Sequence, residues 1–275
     1  MEASFEQAQA SAIMHTVLCN GAPMRWRQWG AGPVLLLIHG NSGSWTHWVR
    51  NVLPLARHYT VLAPDLPGHG DSAPPVGEVS CAAFATLLWQ GVDQLIGPDT
   101  GLSLAGFSLG SLLVESMAMQ QPERVRQVLL LRGGFSAGLP VMPALRRWRG
   151  VADPAEAEQI HRHNLQVSMI HDPDRIEDST IALHADNLQR CTLDVRLLIG
   201  SRQLDAFTGL RCPVHGIAGE FDVYGGNVAQ QGEALRKTLP QATFEMVPKA
   251  GHWAAYERAD RVNAILLAAL AGQAA

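Results

Sequence analysis

Residues 104–113 read LAGFSLGSLL and hold one serine, Ser108, between the glycines Gly106 and Gly110. An apolar run precedes this G-x-S-x-G pattern and a helical pattern follows it, which is the context of a sharp strand-to-helix turn. Such a turn exposes a serine hydroxyl at the carboxyl end of a strand, although glycine and serine also populate ordinary turns. The stretch therefore predicts a strand–turn–helix unit and makes Ser108 a candidate nucleophile.

The rest of the chain repeats this alternation of buried strands and helices. Short apolar runs end in glycine-bearing turns at 34–40, 59–70, 102–110 and 125–134. Helical patterns stand between them at 45–57, 80–96 and 108–121. Buried strands that alternate with helices favour a mostly parallel sheet covered on both faces. The fold class is therefore α/β.

The middle of the chain lacks such strands and reads as an insertion. Asp153-Pro154 and Asp172-Pro173 each offer a helix N-cap followed by proline at the first helical position. The strand rhythm returns at 212–222 and 242–248, and an apolar helix at 258–270 follows. We expect a core of residues 1–134 and 208–275, interrupted by a helical cap of residues 135–207.

Composition restricts the class of partner and compartment. With 47% hydrophobic and 17% charged residues, the chain can bury a sizeable core. The net charge of −4 and the lack of a basic run argue against nucleic acid. Four scattered cysteines fit neither a zinc site nor a disulfide framework. With no secretory or membrane-spanning pattern, we expect a cytoplasmic protein without membrane association.

A serine nucleophile needs a base and a carboxylate, and both have candidates at strand ends. His252 follows the strand at 242–248, and Asp222 lies in GEFD (219–222), in the loop after the strand PVHGIA (213–218). The histidine would take the serine proton, and the carboxylate would hold its tautomer. Each could instead be a plain loop or turn residue, but the chain order Ser108, Asp222, His252 is the one expected for this chemistry.

Donors for a developing oxyanion also have candidates. The N–H of Leu109 follows the serine directly, and the loop HGNSGSWTHW (39–48) follows the strand at 34–40. We assign the second donor to the N–H of Asn41, whose side chain also faces the predicted pocket. The alternative is that His39-Gly40 forms a simple tight turn.

In these motifs the chain resembles the α/β-hydrolase family with a helical cap. The resemblance rests on HGNSGS (39–44), DLPGHGDS (65–72), GFSLGS (106–111), GEFD (219–222) and AGHW (250–253). It implies an eight-stranded, mostly parallel sheet and assigns catalysis to Ser108, Asp222 and His252. It also implies a small-molecule substrate and no cofactor or metal. Family members occur as monomers and dimers, so a homodimer stays open.

Two kinds of hydrolase fit these motifs. An esterase is the main prediction. Carbon–carbon bond hydrolases of ring-cleavage diketones are the alternative, since AGHWAAYE (250–257) looks like their histidine segment and Arg190 could grip a carboxylate. Arg190 could equally be an exposed helix-end cation. The proline of that subfamily's oxyanion loop is absent from HGNSGS. A cofactor-independent oxygenase and a ligand-binding receptor on the same scaffold are the rivals from other classes.

Several side chains are candidates for the pocket wall, although packing is the simpler interpretation of each. Trp45, Phe107 and Trp253 stand beside the motif positions, and Trp148, Met169, His184 and Arg190 lie in the predicted cap. His161 and His163 fall two residues apart in a predicted helix and face apart, so a shared metal is not expected.

Overall fold

A single sheet of eight strands forms the centre of the molecule. The computed structural model describes residues 2–132, 143–200 and 210–272. The strands lie in the order β1-β2-β4-β3-β5-β6-β7-β8, with β1 and β2 antiparallel at one edge and β3 to β8 mutually parallel. Their bounds are Ile13–Cys19, Ala22–Trp29, Val34–Ile38, Thr60–Pro64, Leu102–Phe107, Val125–Leu131, Val214–Gly219 and Thr243–Val247, numbered β1 to β8.

Helices cover both faces of this sheet. Successive residues of β3 point to opposite faces, so that Leu36 and Ile38 join one apolar cluster and Leu35 and Leu37 join the other. The α-helices, numbered α1 to α10, are Glu2–Ala10, Val52–Ala56, Cys81–Ile96, Leu109–Gln120, Pro154–Ser168, Asp178–Gln189, Val195–Gly200, Val228–Thr238, Ala254–Glu257 and Ala259–Ala271. Burial on both faces explains why the strands β3 to β7 read as continuous apolar runs.

The six strands predicted from apolar runs are confirmed as β3 to β8. The hairpin of β1 and β2 was not predicted. The predicted helix at 45–57 was wrong in part, since the chain forms a 3-10 helix at Trp45–Trp48 and a separate α2. Pro54 explains the break: its ring excludes the carbonyl four residues earlier in a helix, but it is tolerated in the first turn of a helix that starts at Val52.

The described part of the segment between β6 and β7 holds the helices α5, α6 and α7 and no strand. Asp153 caps α5 by accepting a hydrogen bond from the N–H of Ala155, with Pro154 as the first helical residue. Asp172 caps only a short 3-10 helix, Pro173–Arg175, because the chain then turns to bury Ile176 before α6 begins. The predicted domain boundaries at 134/135 and 207/208 lie outside the described residues.

The direction of chain progression reverses between β3 and β5. From β3 the chain moves outward to β4, and it then returns to the other side of β3 as β5. In open parallel sheets such a switch point leaves a crevice at the carboxyl ends of the two strands. The loops after β3 and β5 therefore face a common space. No helix in the described ranges is long and apolar enough to cross a membrane.

Candidate active site

The turn between β5 and α4 holds Ser108 in a strained conformation. The backbone angles of Ser108 are φ +51° and ψ −115°, a region that side chains other than glycine rarely adopt. A Cβ on Gly106 would lie 2.4 Å from the carbonyl oxygen of Gly110. A Cβ on Gly110 would lie 2.3 Å from the carbonyl oxygen of the last residue of β3. The two glycines therefore let β5, α4 and β3 approach closely enough to impose this turn.

The two serines of this turn have different roles. The Ser111 hydroxyl donates to the carbonyl oxygen of Gly106 at 2.7 Å and closes the turn. Ser108 is half-buried and precedes α4 without capping it through its side chain. Its hydroxyl forms no hydrogen bond to any residue that the structure describes. Ser108 is therefore left available to a ligand at the crevice.

Asp222 and His252 form a buried pair in the loops after β7 and β8. The Nδ1–H of His252 donates to Oδ2 of Asp222 at 2.8 Å, and the carboxylate also accepts from the N–H of Tyr224 at 2.9 Å. Asp222 is 3% exposed and His252 is 7% exposed. A neutral imidazole with its proton on Nδ1 keeps a lone pair on Nε2. The pair can therefore accept a proton at Nε2.

Aromatic rings place this pair beside the turn. The ring of Phe107, the residue before Ser108, lies 5.0 Å from the His252 ring between centroids. The Tyr224 ring lies 4.5 Å from the same imidazole. The three predicted residues thus meet at one edge of the sheet, although Ser108 and His252 share no hydrogen bond. Catalytic hydrogen bonds often tighten only when substrate is bound.

A buried carboxylate that sequence reasoning missed holds the His252 loop. Glu257 is 2% exposed and accepts three backbone hydrogen bonds: from Gly251 at 2.7 Å, from Asp172 at 2.8 Å and from His171 at 3.1 Å. It therefore joins the loop that carries His252 to the segment between α5 and α6. Charge-assisted bonds of this kind are stronger than neutral ones.

Replacing Glu257 by glutamine is expected to lower both stability and turnover. One amide oxygen replaces two carboxylate oxygens, and the new NH2 group faces backbone donors. We expect a loss of about 2–4 kcal/mol in the free energy of unfolding. We also expect a roughly tenfold fall in kcat, because a small displacement of the His252 imidazole slows the proton transfer. Urea unfolding and ester turnover test this, with the exposed Glu245→Gln as the control. Unchanged unfolding of Glu257→Gln would contradict it.

The loop after β3 packs directly on the serine turn. A Cβ on Gly40 would lie 3.0 Å from a ring carbon of Phe107 and 3.1 Å from the Cβ of Ser108. Asn41, the next residue, is exposed and lines the adjoining cavity. The Leu109 N–H stands in the first turn of α4, where it has no intrahelical acceptor. The Leu109 N–H and the loop that carries Asn41 therefore lie beside Ser108.

Two buried histidines fix the shape of this loop. His39 bonds the carbonyl of Gly40 through Nδ1 at 2.7 Å, and its Nε2 accepts from the N–H of Leu66 at 2.9 Å. His47 accepts from the N–H of Gly40 through Nδ1 at 3.2 Å. Burial lowers the pKa of His39 to about 4 and that of His47 well below its usual value. Both rings are therefore neutral at pH 7. The role of His47 was not predicted.

A cavity of about 430 Å³ adjoins these groups. Asn41, Ser42, His47 and Tyr224 line it from the core side. Three wall residues predicted from the sequence also line it, and these are Trp148, Met169 and His184. Two of these lining residues contact neighbours of the candidate catalytic groups, since His47 packs on Phe107 at 5.2 Å and Tyr224 packs on His252. Asp222 and His252 themselves line an adjoining cavity of about 480 Å³, which shares Met169 with the first.

The remaining predicted pocket residues lie elsewhere. Phe107 and Trp253 are fully buried against His47, and the Trp253 Nε1–H donates to the His47 carbonyl at 2.9 Å. Trp45 and Arg190 line a second cavity of about 470 Å³.

Arg190 is held by ion pairs in that second cavity. Its guanidinium pairs with Asp71 and, at 3.4 Å, with Asp186 one turn earlier. Neither Arg190 nor Trp45 lines the cavity that Asn41 and Tyr224 line.

Comparison with known proteins agrees with this architecture. A sequence model described as the alpha/beta hydrolase family matches residues 35–265. A dihydrolipoyllysine-residue acetyltransferase component of an acetoin cleaving system from Cupriavidus necator is 29% identical, over 97% of this chain and 71% of that protein. A 2-hydroxy-6-oxo-6-phenylhexa-2,4-dienoate hydrolase from Burkholderia cepacia is 27% identical, over 88% of this chain and 89% of that protein.

Solved structures share the fold. Carboxylesterase CesB from Bacillus subtilis superposes with a TM-score of 0.76 at 18% identity, covering 98% of this chain and 97% of that one. At this identity the similarity concerns the fold alone and gives no information about the substrate.

Proposed function

The chain belongs to the alpha/beta hydrolase family, and we propose that it is a serine hydrolase that cleaves an ester through a covalent acyl-enzyme. The observation that carries the proposal is the strained Ser108, held between Gly106 and Gly110 beside the buried Asp222–His252 pair. A nucleophile, a base and an orienting carboxylate at one sheet edge are the parts that acyl transfer needs.

In the first half of the reaction Ser108 attacks the substrate carbonyl. Nε2 of His252 takes the serine proton as the Oγ–C bond forms, and the Asp222 carboxylate stabilises the imidazolium. The carbonyl oxygen becomes an oxyanion that accepts hydrogen bonds from the N–H groups of Leu109 and Asn41. Collapse of this tetrahedral intermediate breaks the ester bond, and His252 returns the proton to the leaving alkoxide.

In the second half water replaces the alcohol. His252 takes a proton from water, and the resulting hydroxide attacks the acyl carbon. The second tetrahedral intermediate uses the same two donors. Its collapse releases the acid and returns the proton to Ser108. The helical segment between β6 and β7 forms the cap in this proposal, since Trp148, Met169 and His184 from that segment line the cavity.

We favour ester cleavage over carbon–carbon cleavage. The carbon–carbon interpretation rested on the segment AGHWAAYE (250–257) and on Arg190 as a carboxylate ligand in the pocket. Ion pairs hold Arg190 at Asp71 and Asp186, where it lines the second cavity. We also propose a cytoplasmic location, since Cys19, Cys81, Cys191 and Cys212 are all unbridged thiols, as expected in a reducing compartment.

Covalent labelling tests the proposal. A fluorophosphonate probe is expected to add one equivalent to the folded protein, and peptide mapping is expected to place it on Ser108. Turnover of p-nitrophenyl butyrate should disappear as the label accumulates, because the two compete for one hydroxyl.

Two variants make the labelling result specific. Ser108→Ala should take no label, whereas Ser103→Ala, altered on the strand β5 that precedes Ser108, should take the full equivalent. Label on another residue, or ester turnover that survives Ser108→Ala, would overturn the proposal. Heat-denatured protein should stay unlabelled, since the reactivity depends on the folded pair of Asp222 and His252.

A further inference from the structure

A short arginine-rich segment lines the cavity that Asn41, the candidate oxyanion donor, also lines. Residues 145–149 read LRRWR, and we name them the arginine strap. All five line the cavity of about 430 Å³. The strap belongs to no helix or strand, and its three arginines are exposed. Because the strap and Asn41 line the same cavity, the three guanidinium groups can contact a molecule bound there.

Buried contacts fix the strap in place. The Asn164 side chain in α5 is 6% exposed and bonds both backbone groups of Arg146, the N–H at 2.8 Å and the carbonyl at 2.9 Å. His163 also bonds the carbonyl of Ala144 at 3.1 Å. Trp148 packs on the His161 ring at 5.3 Å between centroids. The strap is therefore a built part of the cavity wall.

The charges of the strap are unmatched among the described residues. Arginines elsewhere, such as Arg27 and Arg132, pair with carboxylates. None of the three strap arginines lies within 4.0 Å of a carboxylate oxygen of a described residue. No aspartate or glutamate is among the described residues that line the cavity. The cavity is thus locally positive in a chain whose net charge is −4.

An arginine cluster of this kind can bind an anionic group such as a carboxylate or a phosphate. A guanidinium stays protonated at any working pH and presents paired donors to a carboxylate or phosphate group. Arg149 lies over the Trp148 ring at 4.6 Å and donates to the Leu188 carbonyl at 3.4 Å, which orients it without neutralising it. Leu188 and Met169 supply apolar wall in the same cavity.

We propose that the arginine strap binds a carboxylate or phosphate group at the end of the substrate remote from the scissile carbonyl. This inference rests on the proposed function, since it places that carbonyl at Ser108. The substrate class is then an acyl ester that carries an anion at the far end of its acyl chain. The positive strap also attracts such a substrate from solution.

Two esters of equal chain length test the inference. Mono-p-nitrophenyl glutarate carries a terminal carboxylate, and p-nitrophenyl pentanoate is its neutral counterpart. The wild-type protein is expected to hydrolyse the glutarate ester with a kcat/KM roughly 10- to 100-fold higher, as expected for charge-assisted hydrogen bonds. Replacing Arg146, Arg147 and Arg149 together by glutamine should lower kcat/KM for the glutarate ester to about that for the pentanoate ester and so remove this preference.

Control variants and competing anions complete the test. Arg236→Gln, an exposed arginine on α8, should keep the preference. Glutarate and inorganic phosphate are added as inhibitors of pentanoate hydrolysis. Stronger strap-dependent inhibition by one of them supports the inference and identifies the anion. Equal kcat/KM for the two esters, unaltered by the triple substitution, would overturn it even where Ser108 is labelled.

Direct binding separates this inference from the proposed function. Calorimetric titration of the Ser108→Ala protein with glutarate and with phosphate measures the strap without turnover. Binding that the triple substitution abolishes supports the anion site even if Ser108 takes no label. Absence of binding of both anions to a protein with a native circular dichroism spectrum would overturn the anion site.

Discussion

Replacing Asp222 by asparagine is expected to lower kcat for ester hydrolysis about 10⁴-fold, which is the loss known for this substitution in serine proteases. The Asp222 carboxylate holds the proton of His252 on Nδ1 at 2.8 Å. An asparagine amide there can donate to Nδ1 and so move the proton to Nε2. The imidazole then presents a donor to Ser108 and cannot accept its proton. Loss of the negative charge also leaves the imidazolium of the transition state unstabilised.

The measurement is single-turnover and steady-state kinetics with p-nitrophenyl butyrate. Asp260→Asn, an exposed acidic position on α10, is the matched control and should retain full activity. KM should change little, because Asp222 touches His252 and not the acyl group. A loss of less than tenfold in a variant that unfolds like the wild type would contradict the role of the pair.

Most of the parallel part of the fold could be predicted because burial on two faces marks the strands β3 to β7, whereas β8 is a largely exposed edge strand. Strands β3 to β8 appear as apolar runs that end in turns. Strands β1 and β2 escaped this criterion, since each exposes several side chains, among them Met14, Leu18 and Arg25. An edge strand of this kind carries a mixed pattern that a loop can also show. The antiparallel hairpin therefore has no clear sequence signal.

The candidate catalytic residues could be predicted for a related reason. Ser108, Asp222 and His252 each follow a parallel strand, and the carboxyl ends of such strands meet at one edge. Glu257 could not be found in this way, because its three donors come from two segments far apart in the chain. Arg190 was predicted as a pocket residue, but in the folded protein it forms an ion pair with Asp71, which is distant in the sequence. The roles of Glu257 and Arg190 depend on partners that are far away in the sequence and become neighbours only in the fold.

Acidification from pH 7 to pH 4 is expected to lower the free energy of unfolding by several kcal/mol. Burial, opposed by the bond to the Gly40 carbonyl, lowers the pKa of His39 to about 4. Burial, helped by the nearby His161, lowers the pKa of His184 to about 4. An unfolded histidine has a pKa of about 6.5, so each lowering is worth on the order of 3 kcal/mol.

The sign follows from proton uptake. Between about pH 6.5 and pH 4 the unfolded chain binds more protons at these rings than the folded chain, so acid favours unfolding. The stabilisation is complete above about pH 6.5 and is lost as the pH falls toward about 4. Carboxylates titrate in the lower part of this range, so the slope must be assigned by comparing variants.

A glutamine at position 39 isolates the histidine contribution. Its amide can donate to the Gly40 carbonyl and accept from the Leu66 N–H, as His39 does, but it cannot titrate. Urea unfolding of His39→Gln between pH 7 and pH 4.5 should therefore show a shallower dependence than the wild type, whatever its stability at pH 7. His58→Gln, altered at an exposed position, should keep the wild-type slope. Identical slopes for His39→Gln and the wild type would mean that the ring of His39 protonates in the folded protein as readily as in the unfolded chain, which its complete burial argues against.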